Sequence, residues 1–345
     1  MDIFISKHQS KIMDFLWLPS ISYFDPSQID LTFEERQTFQ EVFNDFETLK
    51  KILEPYTARL HKFYRGANHG HIIDSIYRYL LEEGHDPKTM EELYPLVLAI
   101  SEEKIRSLLL NLIAPEGQVI ETEEDLLNLL EDDMIKESTK WRVFWSYHHP
   151  KETVEGMVDL YKELIPLYQP FYEKYEKEVL ETINRLDIME LFSDSIFDIK
   201  KYLSKSQKST LRAFVTSPLH LNHIITTDEL DLEKPVYVYT YARVEVILKG
   251  RQQNNLSKDT LDLAIKSLAD PVRYDILNIV SHSTLKNKEI AAQLGITPAN
   301  VSFHIQKLLN AGLLSFAIDK DEARYRLNKA FMAQCLDKIK SDFDL

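Results

Sequence analysis

Lys288-Glu-Ile-Ala-Ala-Gln-Leu-Gly-Ile296, followed by Thr297-Pro-Ala-Asn-Val-Ser-Phe-His-Ile-Gln-Lys-Leu-Leu309, is the stretch whose reading settles the fold of this chain. Ile290, Ala291 and Leu294 recur at helical spacing, so 288–294 is expected to be a short helix with those residues inward. Gly295 ends it, because glycine adopts the left-handed backbone of a helix C-terminus without strain. Ile296 fills the turn, Thr297 is placed to cap, and Pro298 sits in the first turn of a second helix with Val301, Ile305, Leu308 and Leu309 on its inner face. Two short helices joined across a tight glycine turn make a helix-turn-helix, and its second member has the dimensions to enter a DNA major groove.

Working outward, Leu261, Ala264, Ile265 and Leu268 lie on one face of a preceding helix. Asp270-Pro271 then caps and starts another, with Ile276, Leu277 and Val280 as its buried stripe. Downstream, Gly312 follows the second helix of the motif. Leu314, Phe316 and Ile318 alternate, a polar turn runs from Asp319 to Ala323, and Tyr325 and Leu327 alternate again with Arg324 and Arg326 on the other face. That pattern predicts a β-hairpin, the wing of a winged helix. A last helix, Asn328–Asp342, carries Phe331, Met332, Cys335, Leu336 and Ile339 on one side.

The strings Leu268-Ala-Asp-Pro-Val-Arg-Tyr-Asp-Ile-Leu277, Lys288–Ile296 and Val301-Ser-Phe-His-Ile-Gln-Lys-Leu-Leu-Asn-Ala-Gly-Leu-Leu314 together resemble the winged-helix domain of ArsR-type bacterial transcriptional regulators, over about 258–330. The resemblance implies a homodimer with its first and last domain helices at the seam. It also implies two recognition helices set in successive major grooves of double-stranded DNA at a palindromic operator. Carried onto this sequence, Ala299, Asn300, Ser302, Phe303 and Gln306 are the candidates for base edges, and Thr297, Lys307 and Arg324 for phosphate. Asn300 or Gln306 has the donor and acceptor pair that adenine requires, and Phe303 suits a thymine methyl. Many relatives sense metals through cysteines on the first helix of the motif or through His and acidic residues on the last. Here 285–294 holds no Cys and 328–345 no His, so metal sensing at those places is not expected. Asp319, Asp321 and Glu322 in the wing turn would repel phosphate, which predicts a modest salt dependence.

The remainder reads differently. Within 27–200, apolar residues recur at three and four, as in Phe39, Val42, Phe43, Phe46 and Leu49, or Ile72, Ile73, Ile76, Tyr79 and Leu80, predicting helix after helix. Pro55, Gly84, Pro87, Pro115, Pro150 and Pro166 mark expected helix ends. Asp2–Lys7 and the β-branched and aromatic run Val236–Tyr241 look extended, Arg243–Leu248 continues the second, and Phe214–Thr227 is the expected partner strand. Gly250–Ser257 is polar and glycine-initiated, as a linker would be. The expected architecture is therefore mainly α: a helical regulatory or assembly region with short strands at 1–250, a linker at 251–257, and a winged helix-turn-helix at 258–345.

Charge follows the same division. The net charge of −14 is uneven, since 258–345 holds 12 Lys and Arg against 11 Asp and Glu while the rest holds 29 against 44. The acidic part is discouraged from lying on DNA, which leaves that role to the C-terminal part. Only 8 glycines occur, in no GxGxxG or GxxxxGK[ST] arrangement, which removes two classes of nucleotide-binding enzyme. With one cysteine, Cys335, there is no internal disulfide and no Cys-based metal site, so a reducing cytoplasm is the expected compartment. Lys7, Lys11 and Asp14 interrupt any signal-peptide core, and no apolar run long enough to span a membrane occurs.

His61, His69 and His71 with Asp74 form a sparse set of possible metal ligands, for which a solvated helix face is the better reading. Tyr161, Tyr168, Phe171, Tyr172 and Tyr175 form a stripe that reads as core before it reads as the wall of an effector pocket. No GxSxG, HExxH or CxxC pattern supports catalysis. The sequence thus points to a DNA-binding transcriptional regulator, expected to repress, with no cofactor, no enzymatic activity and an unidentified small-molecule effector. Its rival is a small-molecule-binding protein or enzyme whose winged helix serves only in dimerisation or protein interaction.

Overall fold

The computed structural model describes residues 2–24, 31, 33–63, 72–113, 120–131, 137–191, 210–221, 224–226, 234–246, 256, 258–283, 285–319 and 322–345, the side chains of 33–34, 61–63, 190–191, 224–226, 259, 316–319 and 322–324 excepted. Strand β1 (Asp2–Ile5) leads into helix α1 (Lys7–Trp17). Among the described residues there follow α2 (Phe33–Thr38), α3 (Gln40–Leu53), α4 (Thr57–Phe63), α5 (Ile72–Glu82), α6 (Met90–Ala99), α7 (Glu102–Ile113), α8 (Glu123–Leu130), α9 (Glu137–His148) and α10 (Pro150–Arg185). The short α11 (Ile188–Leu191), β2 (Thr210–Thr216), β3 (Ile224–Thr226) and β4 (Val236–Tyr241) complete this part.

The strands form one sheet in the order β1-β2-β4-β3. β1 runs parallel to β2 with Ile3 opposite Leu211, β2 parallel to β4 with Phe214 opposite Tyr239, and β3 antiparallel to β4 with Ile225 opposite Val238. Parallel strands require a crossover, and here almost the whole helical region is the crossover between β1 and β2. All six residues of β4 are buried, which fits its unbroken apolar and aromatic sequence. Alternate residues Phe214, Tyr237 and Tyr239 stack on one face, and Trp17 from the end of α1 stacks on Tyr239 with ring centroids 4.9 Å apart.

Three expectations are corrected. Pro166 was expected to end a helix, yet it lies with Pro170 inside the 36-residue α10. Each proline removes a ladder hydrogen bond and clashes with the preceding turn. The buried face of Tyr161, Leu164, Ile165, Tyr168 and Tyr172 continues across both, and its burial holds the helix together. The extended pattern expected over Arg243–Leu248 stops at Tyr241: Arg243 has φ 72° and 244–246 form a helical turn, with 247–248 outside the described residues. That strained backbone is offset by the Arg243 guanidinium, which donates to Glu178 Oε1 at 2.6 Å, to Glu178 Oε2 at 3.1 Å and to the Thr38 carbonyl at 3.1 Å. The single partner strand expected over Phe214–Thr227 is two, because Ser217-Pro218-Leu219 turns the chain between β2 and β3.

A second hydrophobic core lies in 256–345. It is built from α12 (Lys258–Leu268), α13 (Pro271–His282), α14 (Asn287–Leu294), α15 (Pro298–Asn310), the hairpin β5 (Leu314–Asp319) and β6 (Glu322–Leu327), and α16 (Lys329–Asp342). Leu261, Ala264, Ile276, Leu277, Ile290, Val301, Ile305, Leu308 and Cys335 are buried in it. Two members of the apolar stripes stay outside this core: Ile265 on α12 is 42% exposed and Leu336 on α16 is 50% exposed. Helical spacing defines a stripe wider than the surface this small core can cover.

Gly295 and Gly312 take φ of 66° and 73° at the ends of α14 and α15. A Cβ at Gly295 would enter open space, whereas one at Gly312 would meet the Phe331 ring at 3.4 Å. Replacing either by Ala forces a side chain into the left-handed region at about 1–2 kcal/mol. Gly312→Ala is therefore expected to lose more stability than Gly295→Ala, as read from the hydrogen-exchange protection of the Ile276 and Ile305 amides; equal losses would contradict the contact with Phe331.

Candidate nucleic-acid interface

The exposed side of α15 follows from how its other side is held. Thr297 Oγ1 accepts from the Asn300 backbone N–H at 2.9 Å, capping the helix that Pro298 begins. At the end of α14 the Ile296 N–H reaches back to the Ala291 carbonyl at 3.1 Å, which the left-handed Gly295 permits. At the start of α14, the Lys286 N–H donates to Glu289 Oε2 at 2.7 Å. Val301, Ile305, Leu308 and Leu309 then lock α15 onto α13 and α14, so its rotation about its own axis is set by burial.

The positions facing away are the sequence-derived candidates. Ala299, Asn300, Ser302, Phe303 and Gln306 are exposed, Phe303 to 41%, and Thr297 and Lys307 are half-exposed. They lie on one side of one helix, within reach of a common surface. Arg324 is separate from them: its backbone sits on β6 opposite Ala317, and its side chain lies outside the described residues. The expected hairpin is present, with Leu314 opposite Leu327, though the turn residues 320–321 also lie outside.

Several candidates are already engaged. Ser302 Oγ accepts from Asn287 Nδ2 at 3.0 Å, and Gln306 Nε2 donates to Asn310 Oδ1 at 3.0 Å. Lys307 Nζ lies 5.6 Å from the centroid of the Phe303 ring, a cation–π contact that holds both side chains on the same patch. Thr297 spends one hydroxyl lone pair on the cap, leaving the O–H for another acceptor. Asn287, not foreseen from the sequence, comes to this face because the first residue of α14 abuts α15. Only the packing angle of the two helices reveals it.

His304 lies behind the patch and is 18% exposed at its side chain. Its Nδ1 stands 3.9 Å from Asp270 Oδ1. Asp270 itself accepts from the Arg273 N–H at 3.0 Å as the N-cap of α13. Burial pushes the imidazole below its ordinary value; the Asp270 carboxylate opposes this, and the Arg273 guanidinium adds to it.

Residues 270–315, which include α13, α14, α15 and the first two residues of β5, match the family model described as bacterial regulatory protein, arsR family. This part of the chain is an ArsR-type helix-turn-helix domain. The HTH-type transcriptional regulators CmtR of Mycobacterium bovis and of two strains of Mycobacterium tuberculosis are 32% identical to this chain over 74 residues. That alignment lies in the C-terminal region and covers 21% of this chain and 63% of each relative, so most of the chain lies beyond what these relatives describe. Among the described residues no group of three His, Cys, Asp or Glu side chains is placed to hold a metal ion. The side chains of His61, His69 and His71 lie outside those residues. No helix among the described residues is long and apolar enough to cross a membrane.

The depressed His304 gives the ArsR-type domain a pH dependence of definite sign. The unfolded chain takes up the proton near pH 6.5 while the folded domain still resists it, so stability falls as pH drops below about 6.5. Below the folded value both states are charged and the loss levels off. His304→Gln is expected to remove this part of the pH dependence in urea titrations between about pH 4 and 7; an unchanged slope would show that other groups carry it.

Proposed function

We propose that this chain is a sequence-specific DNA-binding transcriptional regulator that acts as a homodimer and represses from the cytoplasm. The observation that carries the proposal is the two-sidedness of α15: its apolar side is sealed into the domain core while Ala299, Asn300, Ser302, Phe303 and Gln306 stand exposed. A helix held this way by a capped turn is what major-groove reading requires. Asn300 and Gln306 supply the paired donor and acceptor for adenine, Phe303 packs on a thymine methyl, and Thr297, Lys307 and Arg324 contact phosphate.

The paired state is supported by the apolar residues that this core leaves uncovered. Ile265 on α12 and Leu336 on α16 are exposed on the first and last helices of the domain, where a second copy would bury them. The two separate hydrophobic cores support a division into an N-terminal regulatory region at 1–250, a linker at 251–257 and a DNA-binding unit at 258–345. The near-neutral charge of the last unit supports a reading in which base contacts carry most of the discrimination and few phosphates are neutralised.

Selection of a binding site from random duplexes by the full chain is the test, and a palindrome with half-sites about one helical turn apart is the expected product. On that site, Asn300→Ala or Gln306→Ala should cost about 1–3 kcal/mol and relax preference at one base pair per half-site. Lys307→Ala should weaken all sequences alike and lower the salt slope by about one phosphate per subunit. Selection of no duplex, with the chain still dimeric, would favour the reading of the winged helix as an assembly module.

A further inference from the structure

Four polar side chains far apart in sequence meet in the interior of the N-terminal core. Asp14 comes from α1, Tyr168 from α10, and Ser217 and His220 from the turn that follows β2. Asp14, Tyr168 and Ser217 are wholly buried and His220 is 2% exposed. Asp14 accepts from the Tyr168 hydroxyl at 2.6 Å and from the Ser217 backbone N–H. Tyr168 Oη also lies 3.2 Å from Ser217 Oγ and 3.1 Å from His220 Nε2.

Counting protons assigns the directions. Burial and the neighbouring carboxylate hold the Tyr168 hydroxyl far above the usual tyrosine range, so it keeps its proton. That single proton goes to Asp14, the nearest acceptor. Tyr168 Oη therefore accepts from His220, and Nε2 must carry a hydrogen. The imidazole is left with Nδ1, which is buried and finds no hydrogen-bond partner among the described residues. In the neutral ring Nδ1 is an unpaired lone pair, and the centre carries the uncompensated charge of Asp14. With a proton on Nδ1, an imidazolium stands 3.7 Å from the Asp14 carboxylate, bridged to it by Tyr168, and the centre is neutral overall.

We propose that His220, with Asp14 and Tyr168, is a proton-operated switch inside the N-terminal core. A charge buried without compensation is costly, and a charge pair is much less so once its remaining N–H finds an acceptor. Proton uptake at Nδ1 therefore draws α1, α10 and the 217–220 turn together. Nδ1 then changes from an atom that needs a donor to one that needs an acceptor, so the ring and its turn must reorient. The turn adjoins the exit from the sheet, where the Thr216 carbonyl accepts from the Ala242 N–H at 2.9 Å immediately before the strained Arg243.

The groups that face the imidazole are Asp14 from α1, Tyr168 from α10 and the Trp17 ring, edge-on at 6.1 Å and itself stacked on Tyr239 of β4. Beyond Phe15 stands Tyr172, whose ring lies under Lys11, which pairs with Glu176 at 2.9 Å. Trp17 makes the switch observable, because a protonated imidazole quenches a neighbouring indole.

The chain has 3 tryptophans, and His149 stacks on Trp145 at 3.9 Å. The experiment therefore uses the full chain with Trp141→Phe and Trp145→Phe, leaving Trp17 as the reporter. Its emission is expected to show a single reversible one-proton step on acidification of the folded chain. The step should vanish in His220→Gln and move to lower pH in Tyr168→Phe, which takes the acceptor from Nε2 and the bridge from Asp14. A flat emission curve, or a step that survives His220→Gln, overturns the proposal. Should His220→Gln fail to fold by circular dichroism, Tyr168→Phe decides alone, and an unmoved midpoint overturns it.

Discussion

The sealing of one face of α15 is the constraint on which the rest of the ArsR-type domain depends. Val301, Ile305 and Leu308 leave no freedom for the helix to roll, because a roll would expose apolar area at about 25 cal/mol per Å². The outward set from Ala299 to Gln306 is a consequence of that lock. The Thr297 cap and the left-handed Gly295 fix where the helix begins, and burial fixes which way it faces. An apolar core thereby specifies a polar surface without touching it.

The N-terminal core obeys a different logic. Its α10 runs through two prolines because a continuous buried aromatic stripe outweighs the two lost backbone bonds. The same helix carries Tyr168 into a polar centre that a purely apolar core would have lacked. Buried polar groups are expensive unless every one is satisfied, so a centre with one unpaired imidazole nitrogen sits at higher free energy than its surroundings. Features of that kind are where a protein responds to its environment.

Much of the C-terminal domain was legible in the sequence for a physical reason. Short helices with proline starts, side-chain caps and glycine ends are local devices, and Asp270, Gly295, Thr297 and Gly312 each act within a few residues of themselves. Asn287 was not legible, since its contact with Ser302 spans 15 positions and depends on the angle between two helices. Nor was the exposure of Ile265 and Leu336, because a helical stripe shows which residues are apolar and not how much core is available to receive them.

In the larger part of the chain the balance reverses. The sequence by itself determined that helices fill most of it and that Val236–Tyr241 is a strand, since periodicity and β-branched or aromatic content are properties of neighbouring residues. Only the tertiary structure decided that β1 and β2, more than 200 positions apart, lie side by side in parallel. It alone placed Asp14, Tyr168, Ser217 and His220 at one point. Long-range pairings arise from loop closure and from the burial of many side chains at once. No single residue carries a signal for them.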